Sequence, residues 1–125
     1  MKLLLDAHVL LWWLSDDPAL ANRARSAIEN PASTVFVSAA TAWEITIKQA
    51  LGKLDAPVDL ERQLGLNRFE PLPITIGHAC TAGTLPLHHN DPFDRMLVAQ
   101  AMAERLTIVT RDPRLARYPV RTLSA

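Results

Sequence analysis

Short apolar runs and longer, helix-length stretches take turns along this chain. KLLL (2–5), TVFV (34–37) and LTIVT (106–110) are strand-sized, and the latter two carry the β-branched residues of buried strands. FEPLPI (69–74) is a weaker strand that its prolines push toward a sheet edge, and VRTL (120–123) is a further one. Between them, Asp17-Pro18 opens a helix over 19–29, and Ser38 caps one over 39–51 that Gly52 stops. Pro57 opens a helix ending near Gly65, Thr75 to Gly83 makes another, and Asp91-Pro92 starts the last, which runs to about Arg105. Strand and helix in alternation are the signature of a parallel sheet covered on both faces. The expected fold is one α/β domain over 1–125, with no repeat, low-complexity tract or linker.

Bulk properties narrow the function classes. Basic and acidic residues balance at 13 each, so the charge footprint of a tight, general nucleic-acid binder is missing. A lone cysteine, Cys80, makes no internal disulfide and fits a reducing cytoplasm. The apolar start MKLLLDAHVLLWWL is interrupted by Asp6 and His8 and lacks a clear cleavage site, which argues against a signal peptide. No run reaches the roughly 18 apolar residues of a membrane span. A cytoplasmic protein is expected.

Sites in such sheets form at the carboxyl ends of the strands, where the next helices begin. Four acids map to that edge: Asp6 ends the first strand, and Glu44 lies early in the helix after the second. Asp94 sits in the first turn of the last long helix, and Asp112 follows the LTIVT strand directly. Two like charges 4 Å apart repel by about 4 kcal/mol at an effective dielectric near 20. Such a cluster must take up protons or hold a cation, and carboxylate oxygens suit Mg²⁺ or Mn²⁺. An ion of that kind activates water and clamps phosphate, which predicts phosphodiester hydrolysis.

Each acid also has a plainer reading. Asp6 suits a helix cap, Asp112 a turn before Pro113, and Glu44 a solvent-facing position, although Trp43, Ile45 and Ile47 crowd it. In HHNDPFDR, Asp91 makes a good N-cap, and Asp94 falls at the third helical position, where an acid favours the dipole. Asp91 is therefore either a cap or a fifth carboxylate of the site. His88, His89 and Asp91 resemble zinc ligands, but adjacent histidines point apart and no cysteine set joins them. There is no nucleophile elbow and no glycine-rich phosphate loop, and Cys80 lacks a base and is expected to pack in an apolar helix. Trp12 and Trp13 read as core or interface. Arg95, Arg111, Arg114 and Arg117 flank two of the acids and are candidates to hold phosphates, with surface solvation the plainer reading.

LLLDAHVLLWWL, VSAATAWEITIKQALGKL, LPLHHNDPFDRMLVAQA and IVTRD, in this order, resemble the VapC-like toxins of the PIN-domain ribonuclease family. The likeness spans essentially the whole chain. It implies an α/β/α sandwich with a parallel sheet of about five strands and a Mg²⁺-dependent endoribonuclease. It further implies a cytoplasmic toxin acting on RNA, a VapB-like antitoxin encoded beside it, and a homodimer. The family's acidic set falls on Asp6, Glu44, Asp94 and Asp112. Ala7 departs from the hydroxyl residue usual after the first aspartate, whereas Thr110 keeps the usual hydroxyl two residues before Asp112 and joins Arg95 and Arg111 as a substrate-binding candidate.

Two rival readings remain to compare. A signalling receiver domain has similar length and alternation but needs an acidic pair after the first strand and a late lysine. Here Asp6 stands alone and the last lysine is Lys53. A catalytically degenerate PIN domain, acting as a protein- or RNA-binding module, is the alternative that retains the fold.

Overall fold

The computed structural model describes residues 1–57 and 59–125. In chain order the elements are β1 (Lys2–Leu5), α1 (Ala7–Leu14), α2 (Asn22–Glu29), β2 (Thr34–Ser38), α3 (Ala39–Ala50) and α4 (Leu60–Leu66). They continue with β3 (Glu70–Leu72), α5 (Ile76–Thr84), α6 (Pro92–Glu104), β4 (Thr107–Thr110), a 3₁₀ turn (Leu115–Arg117) and β5 (Arg121–Ser124). The strands form one sheet in the order β3-β2-β1-β4-β5, with every neighbouring pair parallel.

KLLL is apolar throughout because β1 is central. Leu3 and Leu5 face one layer with Val9 and Leu10 of α1, Ala24 and Ile28 of α2, and Ile45 of α3. Leu4 and Ile108 face the other layer with Leu97, Val98 and Ala101 of α6, Leu115 and Tyr118. All three β1 leucines are buried, so period-two alternation vanishes and a continuous run replaces it. The two edges are β3, as its prolines predict, and β5. From β1 the chain builds toward β2 and β3, then crosses back to β4 and β5. That reversal puts a topological switch point beside β1, where the carboxyl ends of β1 and β4 leave a crevice.

Local signals set most helix ends. Ser38 Oγ accepts from Ala40 N–H at 3.0 Å and starts α3, and Gly52, at φ 71°, takes the left-handed conformation that ends it. Two expected starts differ. Asp17-Pro18 makes a turn instead of a helix start: Asp17 Oδ1 accepts from Ala19 N–H, and α2 begins only at Asn22. The helix expected from Pro57 begins at Leu60, and Val58 within that expectation lies outside the described residues. Cys80, expected to be packed, is exposed on α5. No helix among the described residues is long and apolar enough to cross a membrane.

Candidate active site

Asp6 leaves β1 while its N–H still donates to Val109 O, so strand pairing holds its backbone at the crevice. Its Oδ1 accepts from Val9 N–H at 2.9 Å and caps α1. Capping and membership of the acidic rim therefore coexist in one residue, since the cap takes a single oxygen. Burial raises the Asp6 pKa, and the Thr110 hydroxyl opposes that rise. Thr110, buried at the end of β4, also accepts from Asp112 N–H at 3.1 Å. Its hydroxyl links Asp6 with Asp112, which makes it a brace for the rim.

Glu44 sits in the second turn of α3, buried, with Oε2 at 2.6 Å from Lys48 Nζ one turn later. Of the apolar neighbours expected to crowd it, Ile45 is buried, but Trp43 is 62% exposed and meets Phe93 edge-to-face. Lys48 went unnoticed in the sequence, although the glutamate-lysine spacing of four is a standard helix-surface pairing.

Asp94 is the most perturbed acid. Burial and the charges of Asp91, Glu44, Asp6 and Asp112 push its pKa up to about 7. Asp112 lies in the opposite regime. Arg114 clasps both of its oxygens at 2.8 to 3.2 Å and holds the carboxyl well below the usual range.

Between these two carboxylates stands His89, whose Nε2 lies 2.9 Å from Asp112 Oδ2 and 3.1 Å from Asp94 Oδ2. The two histidines do point apart: His88 packs edge-on against Tyr118, and His89 alone turns into the site. Spacing in the sequence cannot reveal this, because the loop that aims His89 is built by distant residues. Tyr118 Oη accepts from His89 N–H and donates to Pro86 O, and Arg95 donates to His89 O.

Arg95 itself is buried inside that framework and donates to the carbonyls of Ala82, Leu85, Pro86 and His89. It does not reach the crevice as a phosphate-binding candidate would. Arg111 does line the crevice, with its guanidinium 4.3 Å above the Trp12 ring and bonds to Ala19 O and Ala125 O. Asp91 caps α6 through Oδ1, which accepts from Phe93 N–H at 2.8 Å and Asp94 N–H at 3.3 Å. Asp91→Asn should therefore keep the fold and melt close to wild type, because Asn caps as well as Asp. Asp91→Ala should lose about 1 kcal/mol in thermal melting.

Asp6, Glu44, Asp91, Asp94 and Asp112 all line one pocket of about 220 Å³. Ligand atoms of His89, Asp94 and Asp112 lie within 4.8 Å of one another. Hard carboxylate oxygens from separate elements, one of them driven toward protonation by burial and by its acidic neighbours, fit a divalent cation.

The PIN domain family model matches residues 3–121. The chain belongs to the PIN-domain family. It is 34% identical over 118 residues to Ribonuclease VapC22 of Mycobacterium tuberculosis, covering 92% of this chain and 90% of that protein. The fold matches that of VapBC2 from Rickettsia felis bound to a promoter DNA fragment, with a TM-score of 0.71 at 18% identity over 99% of this chain and 98% of that one. DNA-bound VapBC from Salmonella typhimurium matches with a TM-score of 0.69 at 20% identity and the same coverage.

Proposed function

We propose that this protein is a metal-dependent endoribonuclease and the toxin of a type II toxin–antitoxin pair. The observation that carries the reading is the meeting of Asp6, Glu44, Asp94 and Asp112, from four separate segments, in one pocket of a PIN-family chain. The 34% identity to a protein named a ribonuclease supports the reaction. Those four carboxylates would hold Mg²⁺ or Mn²⁺. Such an ion supplies a lowered pKa for bound water and neutralises charge on the phosphate.

The chain's own residues contribute the rest. Thr110 braces Asp6 and Asp112, and Lys48 and Arg114 each hold one carboxylate while reducing the negative field that an RNA backbone would meet. Arg111, which lines the same pocket as Arg114, would meet a phosphate there.

A VapB-like antitoxin is the proposed protein partner, a homodimer the proposed assembly, and the cytoplasm the proposed location. The two neighbours of similar fold described above are VapBC complexes. This chain offers an apolar groove of about 540 Å³ that Ala42, Leu60, Leu64, Phe69 and Leu72 help line.

The test is to incubate the folded chain with total RNA in Mg²⁺, in Mn²⁺ and in EDTA, and to map the fragment ends. Defined cuts with either ion and none with EDTA are expected, and the antitoxin should suppress them. Intact RNA under every condition would favour the degenerate binding module instead.

A further inference from the structure

We propose that His89 is a positioning residue of the carboxylate site, a proton-bearing clamp that holds Asp94 and Asp112 in the arrangement that receives the cation. The proposal rests on the metal-dependent reading given above and names a component that reading does not contain.

The tautomer follows from the backbone. His89 Nδ1 lies 3.0 Å from Asp91 N–H and must accept from it, so Nδ1 carries no proton in this arrangement. The ring's hydrogen is then on Nε2, where it is donated to Asp112 Oδ2 at 2.9 Å, with Asp94 Oδ2 at 3.1 Å beside it. A nitrogen bearing a proton is a donor to the two carboxylates and not a ligand for a metal.

Asp112 has other support, from Arg114 and from the backbone turn it closes with Arg114 N–H. Asp94 does not: among the described residues, His89 is the sole basic side chain within 4.0 Å of its carboxylate. The imidazole is only 4% exposed, and its own loop is pinned by Tyr118 and Arg95, so the donor is rigid. Outer-sphere donors of this kind orient metal-binding carboxylates, and removing one weakens metal affinity or activity by about 10- to 100-fold.

Two substitutions separate the clamp from the loop anchor. The Asn carbonyl reaches about where Nδ1 lies and keeps the bond from Asp91 N–H, but offers nothing at Nε2. The Gln amide reaches about where Nε2 lies and keeps a donor for the carboxylates, but gives up the loop bond. Mn²⁺ binding, read from the paramagnetic resonance of the free ion, reports on the site without any turnover. His89→Asn should bind Mn²⁺ about 10- to 100-fold more weakly than wild type, and His89→Gln within about threefold. The ion concentration for half-maximal RNA cleavage should move in parallel.

The reverse ranking, with Asn near wild type and Gln weak, would assign His89 to the loop alone and overturn the clamp. Equal weakening in both overturns it as well, since the imidazole itself would then be required. Should His89→Asn melt too low to assay, His89→Gln carries the test, and its loss of Mn²⁺ overturns the proposal. A wild-type chain that takes up no Mn²⁺ overturns the underlying metal reading, and the clamp with it; the other outcomes bear on the clamp alone.

Discussion

Asp94→Asn should abolish RNA cleavage, by about a thousandfold or more, because the several kcal/mol an ion lends to phosphoryl chemistry need its charged ligands. The same variant should be the more stable one at pH 8 when no ion is present. Asp94 has its pKa raised to about 7 from an ordinary 3.8, so between those values the folded state keeps a proton that the unfolded chain releases. Stability of the ion-free protein therefore falls as pH climbs from about 4 to 7, and the loss is complete above 7. At about 1.4 kcal/mol per unit, less a discount for solvent access and coupling, the loss is on the order of 2 to 3 kcal/mol.

Asp112 acts in the other direction and in another window. Its depressed pKa lends stability above about 4 that disappears as pH drops toward 2. Ion-free wild type should thus melt highest near pH 4 to 5, and Mn²⁺ should raise its melting temperature most at pH 8. In Asp94→Asn the decline between pH 5 and 8 should flatten and the Mn²⁺ effect shrink. A variant that melts like wild type across this range, with and without ion, would show that the carboxylates do not repel as the geometry requires.

The parts of the fold that could be read in the sequence are those where one local cause dominates. β1, β2 and β4 announce themselves because central strands of a parallel sheet are buried on both faces and need unbroken apolar runs. α3 is legible at both ends because Ser38 and Gly52 each do one thing that few other residues do there. Asp17-Pro18 misled because the same pair suits a helix start and a turn, and only the packing of α2 on the core decides between them.

The site divides along a similar line. Asp6, Glu44, Asp94 and Asp112 were findable because residue type and position after a strand are both local properties, and the sheet then brings them together. His89 stands out in the sequence only as one of three zinc-like residues, because what aims it at Asp94 and Asp112 is Tyr118, 29 residues away, and Arg95, neither of which marks its purpose in the sequence. Arg95 reads as a substrate contact in the sequence because it stands next to Asp94 in the chain. Neighbours along the sequence point different ways on a helix, and Arg95 points inward.

That inward arginine should give the largest loss of stability of any single substitution considered. Arg95 Nη2 donates to Ala82 O and Leu85 O at 2.9 and 2.8 Å, the carbonyls at the end of α5, which lie beyond the reach of that helix's own amides. Its Nη1 donates to Pro86 O and His89 O in the loop that leads to α6. One guanidinium from α6 thereby closes the end of α5 and holds the His89 loop. Arg95→Ala removes a charged donor and leaves buried carbonyls without partners, at a cost of about 3 to 4 kcal/mol. For a chain of this size that lowers the melting temperature by on the order of 10 to 15 °C. Arg95→Lys should recover less than about half of the loss, since one ammonium cannot address the carbonyls of helix and loop in the planar fork that a guanidinium provides. RNA cleavage should decline in both variants at temperatures well below their melts, because the loop that carries His89 loosens with them. Were Arg95 instead a phosphate contact, the alanine variant would melt within about 2 °C of wild type and lose only affinity for RNA. Thermal melting without RNA decides between the two, because a phosphate contact leaves the RNA-free protein unchanged and a helix clamp does not.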